Sequence, residues 1–373
     1  MNTQALEQAL LQAVRAQGFE HTADSLLGGA PVDAHPSIDL AVARFAPGAA
    51  PVWANVLFSR EHPQGFAATI GPHGGAVSDV AFFADLQDAA HNSPAWQPGA
   101  DWSALPFKPF FGQGPRRFVC PYPGSLVKMM VLVGVARAVD AGRTRWEQPL
   151  SESGQTRAAA DWAFDMTAIS CNRATDVLVA HLHAIGVLDA ETHGPHELHR
   201  VFAGYGLPGL RIARTRADGG WRNDAGAGVG QLQMTAWDAL RLFWLIDPNA
   251  PPPPWLPAGH APLLAGSREH VMHCLRSQRL HHILSSGALR TLPGTRDWQA
   301  GIPDDDGCFA HKTGNTENYS SNAGIVRIDG GDHPRHYLVA LTSNLGSRYA
   351  VHPEAATTPK LQALGAAIDR LMQ

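Results

Sequence analysis

A hydroxyl and an amine three positions apart, Ser125 and Lys128, are the groups in this chain best placed to do chemistry. They sit in Tyr122-Pro123-Gly124-Ser125-Leu126-Val127-Lys128-Met129-Met130-Val131-Leu132-Val133-Gly134-Val135. Pro and Gly stop whatever precedes Ser125, and an almost wholly apolar run follows it. That pattern predicts a turn feeding the N-terminus of a buried helix. On a helix the two side chains share one face, one turn apart. A buried ammonium is costly unless it is paired or loses its proton. A lysine that loses its proton easily can deprotonate a neighbouring hydroxyl. The backbone N–H groups of the helix start favour a developing oxyanion.

Two further clusters carry compatible groups. Ser170-Cys171-Asn172 falls in a predicted turn between two helices. Lys312-Thr313-Gly314 ends a predicted strand, where a cation and a hydroxyl suit a carboxylate or other anionic group. Gly314 there lets a ligand approach the strand closely. The N–H of Asn315 is placed to serve as an oxyanion donor with that of Ser125. Each cluster also has an ordinary structural explanation. Ser125 and the Ser170 turn suit helix N-caps, Lys128 suits a side chain reaching solvent, and Lys312 suits a charged strand end. Lysine usage weighs against coincidence. The chain has four Lys (108, 128, 312 and 360) against twenty-five Arg. Arginine cannot be deprotonated in a protein, so a lysine inside an apolar helix of an arginine-using chain points to proton transfer.

The elements that position these groups follow from pattern. Leu6, Leu10, Leu11 and Val14 have helical spacing, and Ile38 to Phe45 and Val52 to Phe58 read as a β-hairpin. Residues 71–114 are rich in Gly, Pro, Trp and Phe, with a helix predicted at Asp79 to Ala89 and Phe107, Phe110 and Phe111 anchoring the segment. Helices are predicted from Ser125 to Asp140, Thr156 to Thr167, Asn172 to Ile185, Glu197 to Gly204, Thr235 (an N-cap) to Leu245, and His270 to Leu284. Strands follow at Cys308 to Lys312, Ala323 to Ile328 and Tyr337 to Thr342, the last two joined at Gly330-Gly331. A final helix is capped by Thr358 with Pro359 at its first position. The economical architecture is α/β. Residues 1–118 and 285–373 form an antiparallel sheet with flanking terminal helices, and 119–284 form an inserted all-α domain bearing Ser125.

Composition narrows the function. The chain has 373 residues, 45% hydrophobic and 17% charged, with net charge −4, so it is globular and gives no reason to expect nucleic acid or an anionic membrane as partner. No apolar run reaches transmembrane length, and Met1 to Gly18 lacks a signal-like core. A cytoplasmic location is expected, or a periplasmic one if a signal was removed. Cys120, Cys171, Cys274 and Cys308 are scattered and read as reduced thiols. His193, His196 and His199 match no metal-ligand spacing and read as a solvated loop or helix start, so no metal or cofactor is expected.

The S-x-x-K, S-x-N and K-T-G set, in that chain order, resembles the active-site-serine β-lactamases and penicillin-binding proteins. Flanking residues resemble the class A branch: Arg117-Phe118-Val119-Cys120-Pro121, Val139-Asp140-Ala141-Gly142, Met166 through Thr175, His311, and Ser321-Asn322-Ala323-Gly324-Ile325-Val326. The resemblance runs from about Phe118 to the C-terminus. It implies an α/β domain beside an all-α domain with the site between them, and a serine hydrolase acting on a small lactam, amide or ester. Ser125 would be the acylated nucleophile, and Lys128 would be its base or hold it through a water. Ser170 would pass a proton to the leaving nitrogen, Asn172 would hold the substrate amide and Lys128, and Lys312 and Thr313 would bind the substrate carboxylate. Two positions depart from the pattern. Cys171 stands where class A enzymes usually have Asp. The loop that should carry a deacylating Glu, Thr215 to Asn223, has none; Asp218 is its nearest carboxylate, one methylene shorter, and also reads as a turn residue before Gly219-Gly220. Acylation with slow release is therefore expected. A peptidase, esterase or amidase acting inside the cell, or a binding relative without catalysis, are the alternatives.

Overall fold

Both ends of the chain meet in one antiparallel sheet. The computed structural model describes all residues except 87–92, 190–196, 222–230, 258, 261, 289–297 and 351–356. Helix α1 (Thr3–Arg15) is capped by Asn2, whose side chain accepts from Ala5 N at 2.9 Å. Its Leu6, Leu10, Leu11 and Val14 are buried, at ~1.5–3 kcal/mol each. That docks a helix which alone would be marginal. Strands β1 (Ile38–Phe45) and β2 (Val52–Ser59) form the expected hairpin, and β3 (His62–Ala67) adds to it.

The segment 71–114 departs from expectation. Where a helix was predicted at Asp79 to Ala89, strand β4 (Val80–Ala84) runs instead, and residues 87–89 lie outside the described residues. It pairs antiparallel with β5 (Lys108–Phe111) and parallel with β6 (Arg116–Cys120). Val80, Phe82 and Ala84 are buried while Ala81 and Phe83 are only half-buried, a two-residue period that a helix cannot satisfy. Phe82 stacks on Phe111 with ring centroids 5.7 Å apart, and Phe107 is buried. The segment is thus a small sheet whose third strand leads into Ser125.

Helix α2 (Lys128–Asp140) is buried along most of its length. A short ribbon, β7 (Pro149–Glu152) with β8 (Gln155–Ala158), precedes α3 (Ala159–Ala168), so the helix predicted from Thr156 starts three residues late. Then come α4 (Asn172–Ala184), α5 (Glu197–Gly204), β9 (Leu210–Ile212) paired with β10 (Leu232–Met234), and α6 (Ala236–Ile246). Thr235 caps α6 as expected, its Oγ1 accepting from Asp238 N at 3.2 Å. Helix α7 spans Ala265–Arg276 rather than His270 to Leu284. It ends early because the buried Gln278 side chain donates to the carbonyls of Thr167 and His311, at 3.1 and 3.4 Å, and draws the chain toward the sheet.

Strands β11 (Phe309–Asn315), β12 (Ser320–Ile328) and β13 (Arg335–Ser343) complete the sheet in the order β11-β12-β13-β1-β2-β3. Helix α8 (Thr357–Met372) begins one residue before the predicted cap Thr358, which puts Pro359 inside the first turn. A proline is tolerated there because first-turn N–H groups have no intrahelical partner. One apolar core lies between the sheet and α1 and α8. A larger one runs from the opposite sheet face through α6 into the helical body. No described helix is long and apolar enough to cross a membrane.

Candidate functional site

Ser125 lies at the seam between the edge strand β11 and the helical body. Gly124 takes a left-handed φ of 55°, and Gly124–Val127 form a 3-10 turn that runs directly into α2 at Lys128. Lys128, three residues on, therefore follows Ser125 by about one helical turn. Ser125 is half-buried, whereas Leu126, Val127 and Lys128 are buried. Strand β11 presses against this turn. A Cβ at Gly314 would come within 2.5 Å of Pro123 O and Ser321 Oγ and 2.8 Å of Ser125 N. At Gly314, where a ligand was expected to approach the strand, the close approach is made by the Ser125 turn. Ser321 Oγ on β12 donates to Pro123 O and fixes the turn from the sheet.

The three motifs converge on one hydroxyl. Lys128 Nζ donates to Ser170 O at 2.6 Å, Ser170 Oγ at 3.2 Å and Asn172 Oδ1 at 2.7 Å. Lys312 Nζ donates to the same Ser170 Oγ at 3.0 Å and to Thr313 O at 2.6 Å. Ser170 thus stands between two lysine amines, with a left-handed φ of 57° that few non-glycine residues adopt. Such strain persists only where surrounding contacts enforce it. The cap of α4 is Cys171, whose Sγ accepts from Ala174 N at 3.5 Å, and this leaves the Ser170 hydroxyl to the lysines.

Electrostatics follow from burial. Desolvation brings Lys128 down from 10.5 to about 8, against the opposing influence of Cys171 and Asp176. Lys312 is fully buried and is pushed well below its ordinary value, by desolvation first and the neighbouring Lys128 second. Thr313 is buried beside it, whereas Asn172 and Asn315 are exposed. Thr316 N is bonded to Tyr319 O at 2.9 Å on the inner side of β11. By strand alternation the N–H of Asn315 points outward, and Asn315 N lies 3.6 Å from where a Gly124 Cβ would be.

Asp218 is not part of this cluster. It is exposed, and its carboxylate accepts from Arg216 Nε at 2.8 Å and from Arg216 Nη2. That partner holds it below the ordinary aspartate range. Residues 216–220 form a tight turn, with Arg216 N bonded to Gly220 O at 2.9 Å, which bears out the reading of Asp218 as a turn residue. His193 and His196 lie outside the described residues; His199 Nε2 accepts from Ile212 N at 2.8 Å.

A group that sequence reading missed lies behind Lys312. His281, Asp304 and His311 have ligand atoms within 4.8 Å of one another. Asn322 Nδ2 donates to Lys312 O and to His311 Nδ1, both at 3.0 Å, so His311 carries its proton on Nε2 and donates it to Asp304 Oδ2 at 3.0 Å. These hydrogen bonds, with that of His281 Nδ1 to Asp304 Oδ2 at 2.5 Å, tie β11 to the segments that carry His281 and Asp304. No spacing signal marks the trio, because the three residues come from separate loops and a strand.

No protein-family model matches the chain, and no curated protein does. Solved structures do. A PBP-A variant in acyl-enzyme complex with penicillin G is 16% identical, with a TM-score of 0.51 over 100% of this chain and 97% of its own. A β-lactamase from Sphaerobacter thermophilus DSM 20745 is 13% identical, at 0.51 over 98% and 97%. The TLA-1 extended-spectrum β-lactamase is 10% identical, at 0.52 over 100% of both chains. At such identities the likeness establishes the fold, which is that of the serine β-lactamases and penicillin-binding proteins.

Proposed function

We propose that this protein is a serine hydrolase that forms an acyl-enzyme at Ser125 with a small lactam, amide or ester. The observation that carries this reading is Ser170 Oγ held between Lys128 and Lys312, with Ser125 in the 3-10 turn that runs into α2 at Lys128. With Lys128 near 8, about one tenth of it is neutral at pH 7 and ready to take the Ser125 proton. Ser125 Oγ attacks the substrate carbonyl, and the oxyanion accepts from the N–H groups of Ser125 and Asn315. Ser170 gives its proton to the leaving nitrogen and is reprotonated from the lysine pair. Asn172 holds the substrate amide, and Lys312 with Thr313 attracts its carboxylate. That PBP-A variant, captured as a penicillin acyl-enzyme, is in keeping with this chemistry. Release is slower than acylation, because the loop Thr215 to Asn223 carries no glutamate to activate the water.

The test is labelling of the intact protein with a fluorescent penicillin, read by gel and by intact mass. Ser125→Ala is expected to lose the label while unfolding at the same temperature as the parent. Equal labelling of both proteins would overturn the assignment of Ser125.

A further inference from the structure

We infer that Asp176, not Asp218, is the carboxylate that takes the proton of the water releasing the acyl group from Ser125. This rests on the acyl-enzyme reading above and concerns its second half. Asp176 lies one turn beyond Asn172 on α4, four residues on, and so on the same face about 6 Å along the axis. Asn172 Oδ1 is 2.7 Å from Lys128 Nζ, so that face of α4 looks toward the catalytic lysine. Asp176 is exposed, while Ala174, Thr175, Val177 and Leu178 around it are buried.

The loop that was expected to supply a base packs onto Asp176 instead. A Cβ at Gly219 would lie 2.7 Å from Asp176 O and 2.9 Å from its Cβ; one at Gly220 would lie 2.9 Å from Asp176 Oδ1. Both glycines have left-handed φ, 108° and 68°. The Gly-Gly pair therefore records the close passage of the loop over the Asp176 carboxylate. Any side chain at Gly220 would displace that carboxylate. Among the described residues no donor is bonded to it, so its lone pairs remain available to a water. The charged groups facing it are Lys128 from α2, Glu152 from β7, and Arg216 and Asp218 from the turn. Although Asp176 is exposed as a residue, partial desolvation where the Gly219-Gly220 loop passes over it raises it above its ordinary value and so strengthens it as a base, with Lys128 and Arg216 opposing.

In the step, a water proton passes to Asp176 while the water oxygen bonds to the ester carbon. The oxyanion is held by the N–H groups of Ser125 and Asn315. Its collapse breaks the bond from carbon to Ser125 Oγ, and Oγ takes a proton from the Lys128 ammonium. The proton held by Asp176 then restores Lys128, leaving free acid and a free serine.

The experiment follows the benzylpenicillin adduct by intact mass after mixing and after removal of excess ligand. The parent, Asp176→Asn and Asp218→Asn are compared, with thermal unfolding as the check on folding. Asp176→Asn is expected to acylate within about threefold of the parent and to release at least tenfold more slowly. Release by the parent should rise with pH through a window above the ordinary aspartate range, and that rise should vanish in Asp176→Asn. Asp218→Asn should release like the parent. Unchanged release from Asp176→Asn, or acylation and release reduced together, would overturn the inference while leaving the Ser125 acyl-enzyme standing. A parent that forms no adduct would remove the acyl-enzyme reading and this inference with it.

Discussion

If Lys128 takes the Ser125 proton, acylation must follow the neutral amine and not the charge. Burial sets that fraction. With Lys128 at about 8, about 1% is neutral at pH 6 and about 50% at pH 8. The rate constant for acylation should therefore climb roughly fifty-fold over those two units and level off above them. Stopped-flow mixing with a fluorescent penicillin, in buffers of constant ionic strength, reads it directly. Lys128→Arg separates charge from proton transfer, because the guanidinium keeps the cation and cannot give up its proton. Loss of a positioned base costs about two to four powers of ten. The Arg variant should thus fall about as far as Lys128→Ala, with no rise toward pH 8. A flat profile in the parent, or an Arg variant acylating within a few-fold of it, would refute the role of Lys128 as a base.

Three further outcomes follow from the same geometry. Ser170→Gly and Ser170→Ala lose the same hydroxyl and should both slow amide acylation by about two to four powers of ten. Because φ at Ser170 is 57°, the Gly variant should be more stable than the Ala variant by about 1 kcal/mol in urea unfolding. Gly314→Ala should lose about 1–3 kcal/mol and slow acylation, since its Cβ would meet Pro123 O, Ser321 Oγ and Ser125 N; an unchanged midpoint and rate would contradict the close approach. Lys128→Met should raise stability by about 1–3 kcal/mol at pH 7 while abolishing acylation. A lysine lowered from 10.5 to about 8 disfavours the folded state below pH 8, and the parent regains that stability as pH rises from 8 to 10.5, a rise that the Met variant should lack.

Much of the fold and the three motifs that meet at Ser170 were legible in the sequence because they rest on local signals. Thr235 before an apolar run, the Ile38 and Val52 strands, and the stripe Leu361, Leu364, Ile368 place elements within a residue or two. The misplaced elements are those set by tertiary contacts. Val80–Ala84 is apolar throughout, so its sequence does not choose between helix and strand; pairing with Arg116–Cys120 chooses. The end of α7 is set by Gln278 reaching two distant carbonyls. Ser321, Asn322 and the His281–Asp304–His311 group act from different elements, and no spacing rule joins them. Asp176 was overlooked for a related reason. A search along the loop for a carboxylate finds Asp218, whereas the loop's glycines are shaped by a carboxylate on the helix beneath.

The inserted sheet explains how a turn containing proline and a left-handed glycine is held still enough for chemistry. Strand β6 delivers the chain to Tyr122, whose ring meets that of Tyr319 edge-on at 5.7 Å. The Tyr319 hydroxyl donates to Asp85, just beyond β4, and Ser93 Oγ donates to the same carboxylate at 2.9 and 3.0 Å. Asp85 is fully buried, and burial pushes it up to about 7 against those hydrogen bonds. A carboxylate in such a place is expensive, and it is tolerated because three partners satisfy it, Leu86 N being the third at 2.7 Å. Tyr319 stands two residues before Ser321, the residue that holds Pro123 O. One strut thus comes from the main sheet through Ser321 and the other from the inserted segment through Asp85, Tyr319 and Tyr122. Ser125 lies between them, so the aromatic segment helps to fix the position of the Ser125 turn.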